Sequence, residues 1–212
     1  DFLFVNKMAY GYSKYSCPFA LCPISGRILA SEPERGDVVV FRHPGNGSDF
    51  IKRLIGLPGD TVQMKAGILY INGQEVPQQP DGIFEEVFEP QGPMRNRPAC
   101  ENGAVGEGAI CQKSRAIETL PNGVKHTVLN IRDNGPGDNT EVFTVPPGHY
   151  FFMGDNRDNS SDSRFSVAAG GVGMLPAEYL IGRADRIIFS SAGSRMWYFW
   201  TWRADRFFKA VE

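Results

Sequence analysis

Glycine and proline divide this chain into short apolar runs, and this division limits the fold more than any other feature of the sequence. The 212 residues include 24 Gly and 15 Pro. Short apolar runs bounded by turn residues are typical of β-strands, whereas helix interiors disfavour both residues. Hydrophobic residues make up 42% of the chain, which is enough to build a core. The sequence therefore predicts a mainly β protein of antiparallel sheets.

Several apolar runs are predicted to be strands. They lie at 2–5, 38–41 and 50–55, and in "GHYFFM" (148–153) and "LIGRADRIIFS" (180–190). A hairpin is expected at Asn72-Gly73, because both residue types accept the positive φ angles of a tight turn. The runs "HTVLNI" (126–131) and "EVFTV" (141–145) indicate a second hairpin around 134–137.

Hydrophobic patterning weakens between residues 61 and 146, where acidic residues, Gly and Pro are frequent. We interpret 61–146 as an inserted, smaller β-rich domain, and 1–60 with 147–192 as the main domain. The tail, 193–212, is predicted to contain a short C-terminal helix, and its aromatic residues are interleaved with Arg and Lys. This composition favours contact with a membrane–water interface. A terminal helix that packs its aromatic rings on the β core is the alternative.

The charge balance and the first residues exclude some classes of protein. The formal net charge is −2, so no basic field is present to hold nucleic acid, and none is expected as a partner. No apolar run reaches the roughly 18 residues that a membrane-spanning helix needs. Because the sequence begins with Asp1 and not Met, we expect it to be the downstream part of a longer chain whose anchor lies upstream.

The four cysteines form two local pairs, Cys17 with Cys22 and Cys100 with Cys111. No C-x-x-C spacing occurs and the three histidines stand apart from the cysteines, so no zinc site is predicted. Two local disulfides in an oxidising compartment are the preferred interpretation. Four unrelated thiols are the alternative.

Lys52 is unusual because it lies within an apolar strand. Side chains alternate between the two faces of a strand, so Lys52 shares one face with Phe50 and Leu54. One explanation is an edge strand on which a lysine prevents aggregation. The other is a desolvated amine whose pKa is lowered by burial, so that it can accept a proton from a hydroxyl group. Neither a G-x-S-x-G elbow nor a P-loop is present, and no histidine lies in a motif-like context.

The segment 151–165, "FFMGDNRDNSSDSRF", is the densest polar cluster in the chain. An EF-hand loop is excluded, because Ser160 stands at the sixth position counted from Asp155 and Ser166 at the twelfth, where Gly and Glu are required. A solvated turn rich in Asp and Asn is one interpretation. The alternation of Asp with Arg, directly after an apolar strand, favours a partly buried set of ion pairs.

Three segments together resemble the signature boxes of bacterial type I signal peptidases. They are "RGDVVVF" (35–41), "FIKRLIGLPGD" (50–60) and "GDNRDNSSDSRF" (154–165, the third box), and they occur in the family's order with an insertion between the second and third. The opening "DFLFVNKMAYG" is similar to the segment that follows the family's nucleophile box. The resemblance implies an antiparallel β catalytic core and an inserted domain.

The resemblance also assigns roles to individual residues. Lys52 would be the general base, and Ser160 would hydrogen-bond and orient its amine. Arg53, Asp155, Asp162 and Arg164 would form ion pairs that pack the third box against the Lys52 strand, with Arg157 as a possible further member. Leu3, Val40, Phe50 and Ile51 would line shallow apolar pockets that admit small substrate side chains. The nucleophilic serine is expected about nine residues before Asp1, by the nucleophile-plus-base arrangement, so the chain as printed is predicted to be inactive.

The implied function is hydrolysis, by a monomer without metal or cofactor, of the bond that joins a signal sequence to an exported protein. The partners would be signal-peptide-bearing preproteins and the lipid surface, on the outer (periplasmic) face of the bacterial cytoplasmic membrane. Two alternatives stay open: another Ser-Lys protease of similar fold, such as a self-cleaving repressor or an organellar peptidase, and an inactive paralogue that binds signal sequences. The residues upstream of Asp1 distinguish them.

Overall fold

A computed structural model describes residues 2–16, 23–91, 95–103, 105–189 and 209–211. Its fifteen described strands are β1 (Phe2–Asn6), β2 (Tyr12–Ser13), β3 (Arg27–Ile28), β4 (Val38–Arg42), β5 (Asp49–Gly56), β6 (Thr61–Lys65), β7 (Ile68–Ile71), β8 (Gln74–Glu75), β9 (Gln78–Val87), β10 (Ile110–Thr119), β11 (Lys125–Asn130), β12 (Phe143–Thr144), β13 (His149–Met153), β14 (Leu175–Pro176) and β15 (Leu180–Phe189). All pairings between these strands are antiparallel. The predicted fold class is confirmed.

Helical structure in the described ranges is limited to single turns of 3₁₀-helix at Lys14–Ser16, Arg157–Asn159, Val167–Ala169 and Ala177–Tyr179. None of the helices in these ranges has the length and apolar character needed to cross a bilayer. The predicted C-terminal helix and most of the aromatic tail lie outside the described residues, as do Cys17 and Cys22.

The largest sheet has six strands in the order β1-β15-β4-β5-β13-β14. Every strand predicted for the main domain belongs to it, so those predictions are confirmed. Strand β5 lies between β4 and β13, which places Lys52 opposite Val39 and Arg53 opposite Met153. The edge-strand explanation of Lys52 is therefore wrong, because β5 has a neighbouring strand on each side.

Apolar side chains cover both faces of this sheet. On one face, Ile55, Phe151 and Met153 pack with the buried side chains of a four-stranded sheet of order β12-β6-β7-β8. On the other face, Phe41 and Phe152 pack with residues of the loops and short strands that flank the sheet. Two separate hydrophobic cores therefore hold β5 and β13 in place.

A third sheet, of order β11-β10-β9, contains the strands that sequence patterning missed. Strand β9 reads "QQPDGIFEEV" and β10 reads "ICQKSRAIET", and both are too polar for an apolar run to mark them. The predicted Cys100–Cys111 disulfide is formed, and it ties the loop before β10 to the strand.

One hairpin prediction is confirmed and one is wrong. Strands β7 and β8 pair across Asn72 and Gly73, which both have positive φ. Strands β11 and β12 do not pair with each other, because β11 pairs with β10 and β12 with β6. The loop between them is instead held by Asp158, whose carboxylate accepts the N–H groups of Ile131 and Arg132.

The inserted region is in close contact with the main sheet. Met64 and Leu69 share a hydrophobic cluster with Phe151, and the Leu129 N–H donates to the Asp155 carbonyl at 2.8 Å. The division into an inserted domain at 61–146 and a main domain stays a prediction.

Phe151 joins the two sheets of the first core. It is fully buried, and its ring centroid lies 5.3 Å from that of Phe143. We expect Phe151→Ala to lower the free energy of unfolding by about 3–5 kcal/mol, the usual cost of a large buried cavity. Phe4→Ala is the matched control, because Phe4 is 57% exposed, and its effect should stay near ±0.5 kcal/mol. Equal losses for both variants in urea denaturation would contradict this packing.

Candidate active site

Lys52 meets the third box where strand β13 ends. The β5–β13 register brings Met153 beside Arg53, so the next residue, Gly154, lies beside Lys52. A Cβ at residue 154 would overlap the Ser160 hydroxyl, lie 2.6 Å from Ser160 Cβ and lie 3.4 Å from Lys52 Nζ. Only glycine leaves the space in which the amine and the hydroxyl approach each other.

The Lys52 amine is held in a partly dry environment. The side chain is half-buried, and its Nζ lies 5.9 Å from the centroid of the Phe50 ring. Burial lowers the pKa of Lys52 below its ordinary value, because desolvation disfavours the ammonium form. The charge of Arg164 acts in the same direction, while Asp162 and Asp155 oppose it. The net effect lowers the pKa of Lys52 and so makes the neutral amine, the form that can accept a proton, easier to reach than in free lysine.

Ser160 follows the exposed Asn159 in the chain and lies against Gly154. Its Oγ is buried and has no hydrogen-bond partner among the described residues. The hydrogen bond predicted between Ser160 and Lys52 is therefore not formed in this structure, although both groups border Gly154. A buried hydroxyl without a hydrogen-bond partner is costly. Ser160 Oγ is therefore available to form a hydrogen bond in this site.

Four residues predicted to form ion pairs, Arg53, Asp155, Asp162 and Arg164, form two of them. Arg53 Nε and Nη2 each donate to Asp155 at 2.9 Å, which fastens the start of the box to β5. Arg164 Nε and Nη2 each donate to Asp162 at 2.9 Å. Asp162 also accepts the Gly154 N–H at 3.0 Å. Bidentate pairs of this kind fix geometry as well as charge, and here they hold Gly154 in position.

A cleft of about 650 Å³ opens beside Lys52. Leu3, Ile51 and Gly154 line it, as do three residues near the end of the chain, Lys209, Ala210 and Val211. Of the four predicted pocket residues, Leu3 and Ile51 lie in this cleft wall and the other two do not. Phe50 packs against the second core beside Phe41, and Val40 lies opposite Ile51 on the neighbouring strand, on the same face of the sheet.

Comparison with known proteins identifies the family of this chain. A family model described as "Signal peptidase, peptidase S26" matches residues 1–189. The chain belongs to the signal peptidase S26 family. Signal peptidase I of Rickettsia typhi is 40% identical over 200 residues, and that of Rickettsia prowazekii is 38% identical. Each match covers 90% of this chain and 66% of the relative, so the chain spans slightly less than two thirds of the relatives' length.

Among solved structures, a signal peptidase I from Enterococcus faecalis is 26% identical to the chain. The match covers 72% of this chain and 97% of the other, with a TM-score of 0.36. The family assignment depends on the sequence matches alone. Within the described ranges, no three His, Cys, Asp or Glu side chains lie close enough to hold a metal ion.

The sequence did not predict the ion-pair partner of Arg157. This guanidinium is buried, and it pairs with Glu118 of β10 and not with an aspartate of the third box. His126 of β11 lies against the same carboxylate, with Nε2 3.3 Å from Glu118 Oε1. No local signal marks Glu118, because β10 carries several polar residues and Glu118 is 39 positions from Arg157 in the chain.

Gly154 offers a test of the site geometry. We expect Gly154→Ala to destabilise the protein by about 1–3 kcal/mol, the usual cost of overpacking, because the new methyl group meets Ser160. Ser160→Gly in the same chain should restore part of the loss. Gly106→Ala is the control, since nothing lies within 4 Å of that position. Thermal unfolding measures all three, and a Gly154→Ala variant as stable as Gly106→Ala would refute the close approach.

Proposed function

We propose that this chain forms the catalytic domain of a membrane-associated serine endopeptidase that removes signal peptides from exported proteins. Membership of the signal peptidase S26 family gives the class of reaction. The observation that carries the mechanism is the desolvated Lys52 amine beside Gly154 and Ser160. A neutral amine can do the work that histidine does in other serine proteases.

In the proposed mechanism, Lys52 accepts the proton of a serine hydroxyl as the serine oxygen attacks the scissile carbonyl carbon. The serine is expected upstream of Asp1, by the resemblance of the first residues to the segment that follows the family's nucleophile box. Lys52 then gives the proton to the leaving amine, and the acyl group stays on the serine. Lys52 next accepts a proton from water as the water oxygen attacks the acyl carbon, and it returns that proton to the serine oxygen as the acyl–serine bond breaks. Ser160 is proposed to orient the amine through its unused hydroxyl.

The cleft beside Lys52 fits an extended peptide. Strand β1 lies at the edge of the six-stranded sheet in the described part of the chain, so its outer backbone groups are available to pair with a substrate strand. Leu3 and Ile51 line the cleft with aliphatic side chains. We propose that they form shallow pockets for small substrate residues, with Val40 beside Ile51 and Phe50 on the other face of β5 supporting them.

We propose that residues next to the cleft contact the lipid surface. Phe4 is 57% exposed and Met8 is 74% exposed, and both follow Leu3 of the cleft closely in the chain. Large exposed apolar side chains are typical of membrane contact sites. A cleft next to such residues would receive a signal sequence held in the bilayer, on the outer face of the cytoplasmic membrane. The active form is proposed to be a monomer without metal or cofactor.

Two other functions fit part of these observations. A different Ser-Lys protease would share the dyad, and an inactive paralogue would share the cleft. The named relatives, at about 40% identity, favour a signal peptidase over both. An upstream serine at the expected distance is required by the proposal, and its absence would favour the inactive paralogue.

Replacement of the proposed base tests the function directly. In the full-length protein, Lys52→Met should abolish cleavage of a preprotein that carries alanine one and three residues before the cut. The physical reason is that methionine fills the same space but accepts no proton. Product formation is measured by gel shift. The isolated chain 1–212 should also be inactive.

Lys65→Met is the matched control, because Lys65 is exposed on β6 and its amine lies over the Tyr70 ring. Its rate should equal that of the unaltered protein. Near-normal cleavage by Lys52→Met would remove Lys52 from the mechanism. Absence of cleavage by the unaltered full-length protein would favour the non-enzymatic alternative.

The pH dependence of the rate should report the buried amine. Burial lowers the pKa of Lys52, so the rate should rise with pH through a midpoint below the free-lysine value of about 10.4. Below this midpoint Lys52 is protonated and cannot act as a base, and above it the amine is neutral. The measurement is kcat/KM from about pH 5 to about pH 11, a range that includes the free-lysine value, with circular dichroism to check folding. A midpoint at the free-lysine value would contradict a desolvated base.

A further inference from the structure

Two buried polar side chains of the three-stranded sheet face the third box. Glu118 and His126 lie opposite each other in the β10–β11 register, and both are almost fully buried. Glu118 Oε1 accepts a hydrogen bond of 2.6 Å from Arg157 Nη2, and His126 Nε2 lies 3.3 Å from the same oxygen. Glutamate and arginine are rarely buried unless they are paired, so this arrangement needs an explanation.

Arg157 depends on Glu118 for its charge balance. It is 5% exposed, and its Nε and Nη1 have no hydrogen-bond partner among the described residues. Burial opposes ionisation of Glu118, yet Arg157 and His126 together hold the pKa of this carboxyl well below its ordinary value. Without the carboxylate, the guanidinium would remain buried and unpaired, which is strongly destabilising.

A chain of short contacts leads from Arg157 to the glycine beside Lys52. The Arg157 carbonyl accepts a hydrogen bond of 2.5 Å from Arg164 Nη2. Arg164 pairs with Asp162, and Asp162 accepts the Gly154 N–H at 3.0 Å. A movement of the Arg157 turn would therefore displace the groups that fix Gly154 and that shield Lys52 from water.

Another ion pair of the same sheet provides a contrast. Lys113 of β10 and Glu86 of β9 also form a largely buried ion pair. Within the described ranges, their side chains contact Gln91, the Phe84 ring and each other, and no contact reaches the third box. Of these two ion pairs, Glu118–Arg157 is the one that includes a residue of the third box, so it is the one that can influence the site.

We infer that Glu118, supported by His126, is a positioning residue for the active site. It holds the third box through Arg157 so that Gly154 and Ser160 stay against the Lys52 amine. The inference rests on the proposed function for its catalytic consequence. It gives the inserted region a role in catalysis that does not require contact with the substrate.

The test uses Glu118→Gln in the full-length protein, with Glu86→Gln as the matched control. We expect Glu118→Gln to lower kcat/KM by about 10- to 100-fold, the scale of remote misplacement effects. We also expect the midpoint of the pH–rate profile to move to higher pH, because water that reaches Lys52 raises its pKa towards the free value. Asp155, Asp162 and Arg164 also face this amine, and they are unchanged in both variants. Glu86→Gln should keep the unaltered rate and midpoint.

Hydrogen–deuterium exchange provides a readout that does not depend on proteolysis. Glu118→Gln should speed amide exchange in the peptide that contains residues 154–165, whereas Glu86→Gln should not. If the unaltered protein fails to cleave preproteins, the proposed function fails, but the exchange result still tests the positioning of the box. If cleavage is normal and Glu118→Gln changes neither the midpoint nor the exchange, the inference is overturned.

A second variant keeps the test valid if Glu118→Gln does not fold. The double variant Glu118→Met with Arg157→Met removes both charges, and such replacements are often tolerated in protein interiors. It should fold and still show the raised midpoint, because the tether between the sheet and the box is lost. A folded double variant with the unaltered midpoint would also overturn the inference. The inference would likewise be overturned by a folded double variant whose rate, pH midpoint and amide exchange match those of Glu86→Gln.

Discussion

The desolvation of one lysine is the interaction on which the rest of the site depends. The Lys52 ammonium group loses part of its hydration in the half-buried position on β5. This loss disfavours the charged form, so the pKa falls. This state requires β5 to be covered on both sides, by β4 and by β13. It also requires the chain to turn immediately after Met153 without a side chain, which Gly154 provides. The central position of β5 and the glycine at the end of β13 are therefore both needed to keep the Lys52 amine desolvated.

Local features of the sequence predicted the fold where pairing is local or strongly apolar. The Asn72-Gly73 turn joins neighbouring strands, and the apolar strands of the main sheet carry their own signal. Prediction failed for β9 and β10, whose polar residues hide the strand pattern, and for the pairing of β11 and β12. The pairing of β12 with β6 joins residues that are distant in the chain, such as Phe143 with Val62, and no short window of sequence contains that information. Strand β11 pairs locally with β10, as in Thr119 with Lys125, but the polar residues of β10 obscured that pairing.

The same distinction applies to the site. Lys52 could be proposed from its odd position in an apolar run, and the third box from its alternation of Asp and Arg. The partners within the box could not be deduced from spacing, because Asp155 pairs with Arg53, about 100 residues away, while Asp162 pairs with the nearby Arg164. Glu118 gave no signal at all, since only the tertiary structure brings it to Arg157.

The inserted region holds the third box by three different kinds of contact. Apolar side chains of β6 and β7 pack beneath Phe151 and Met153, a backbone hydrogen bond joins Leu129 to Asp155, and a buried charge joins Glu118 to Arg157. Apolar contacts are non-directional and tolerate small shifts, so they set the distance between the layers but not the register of the loop. The directional contacts supply that register. A loop whose glycine must leave room for a serine beside one amine needs both, which explains why so many of its buried groups are charged.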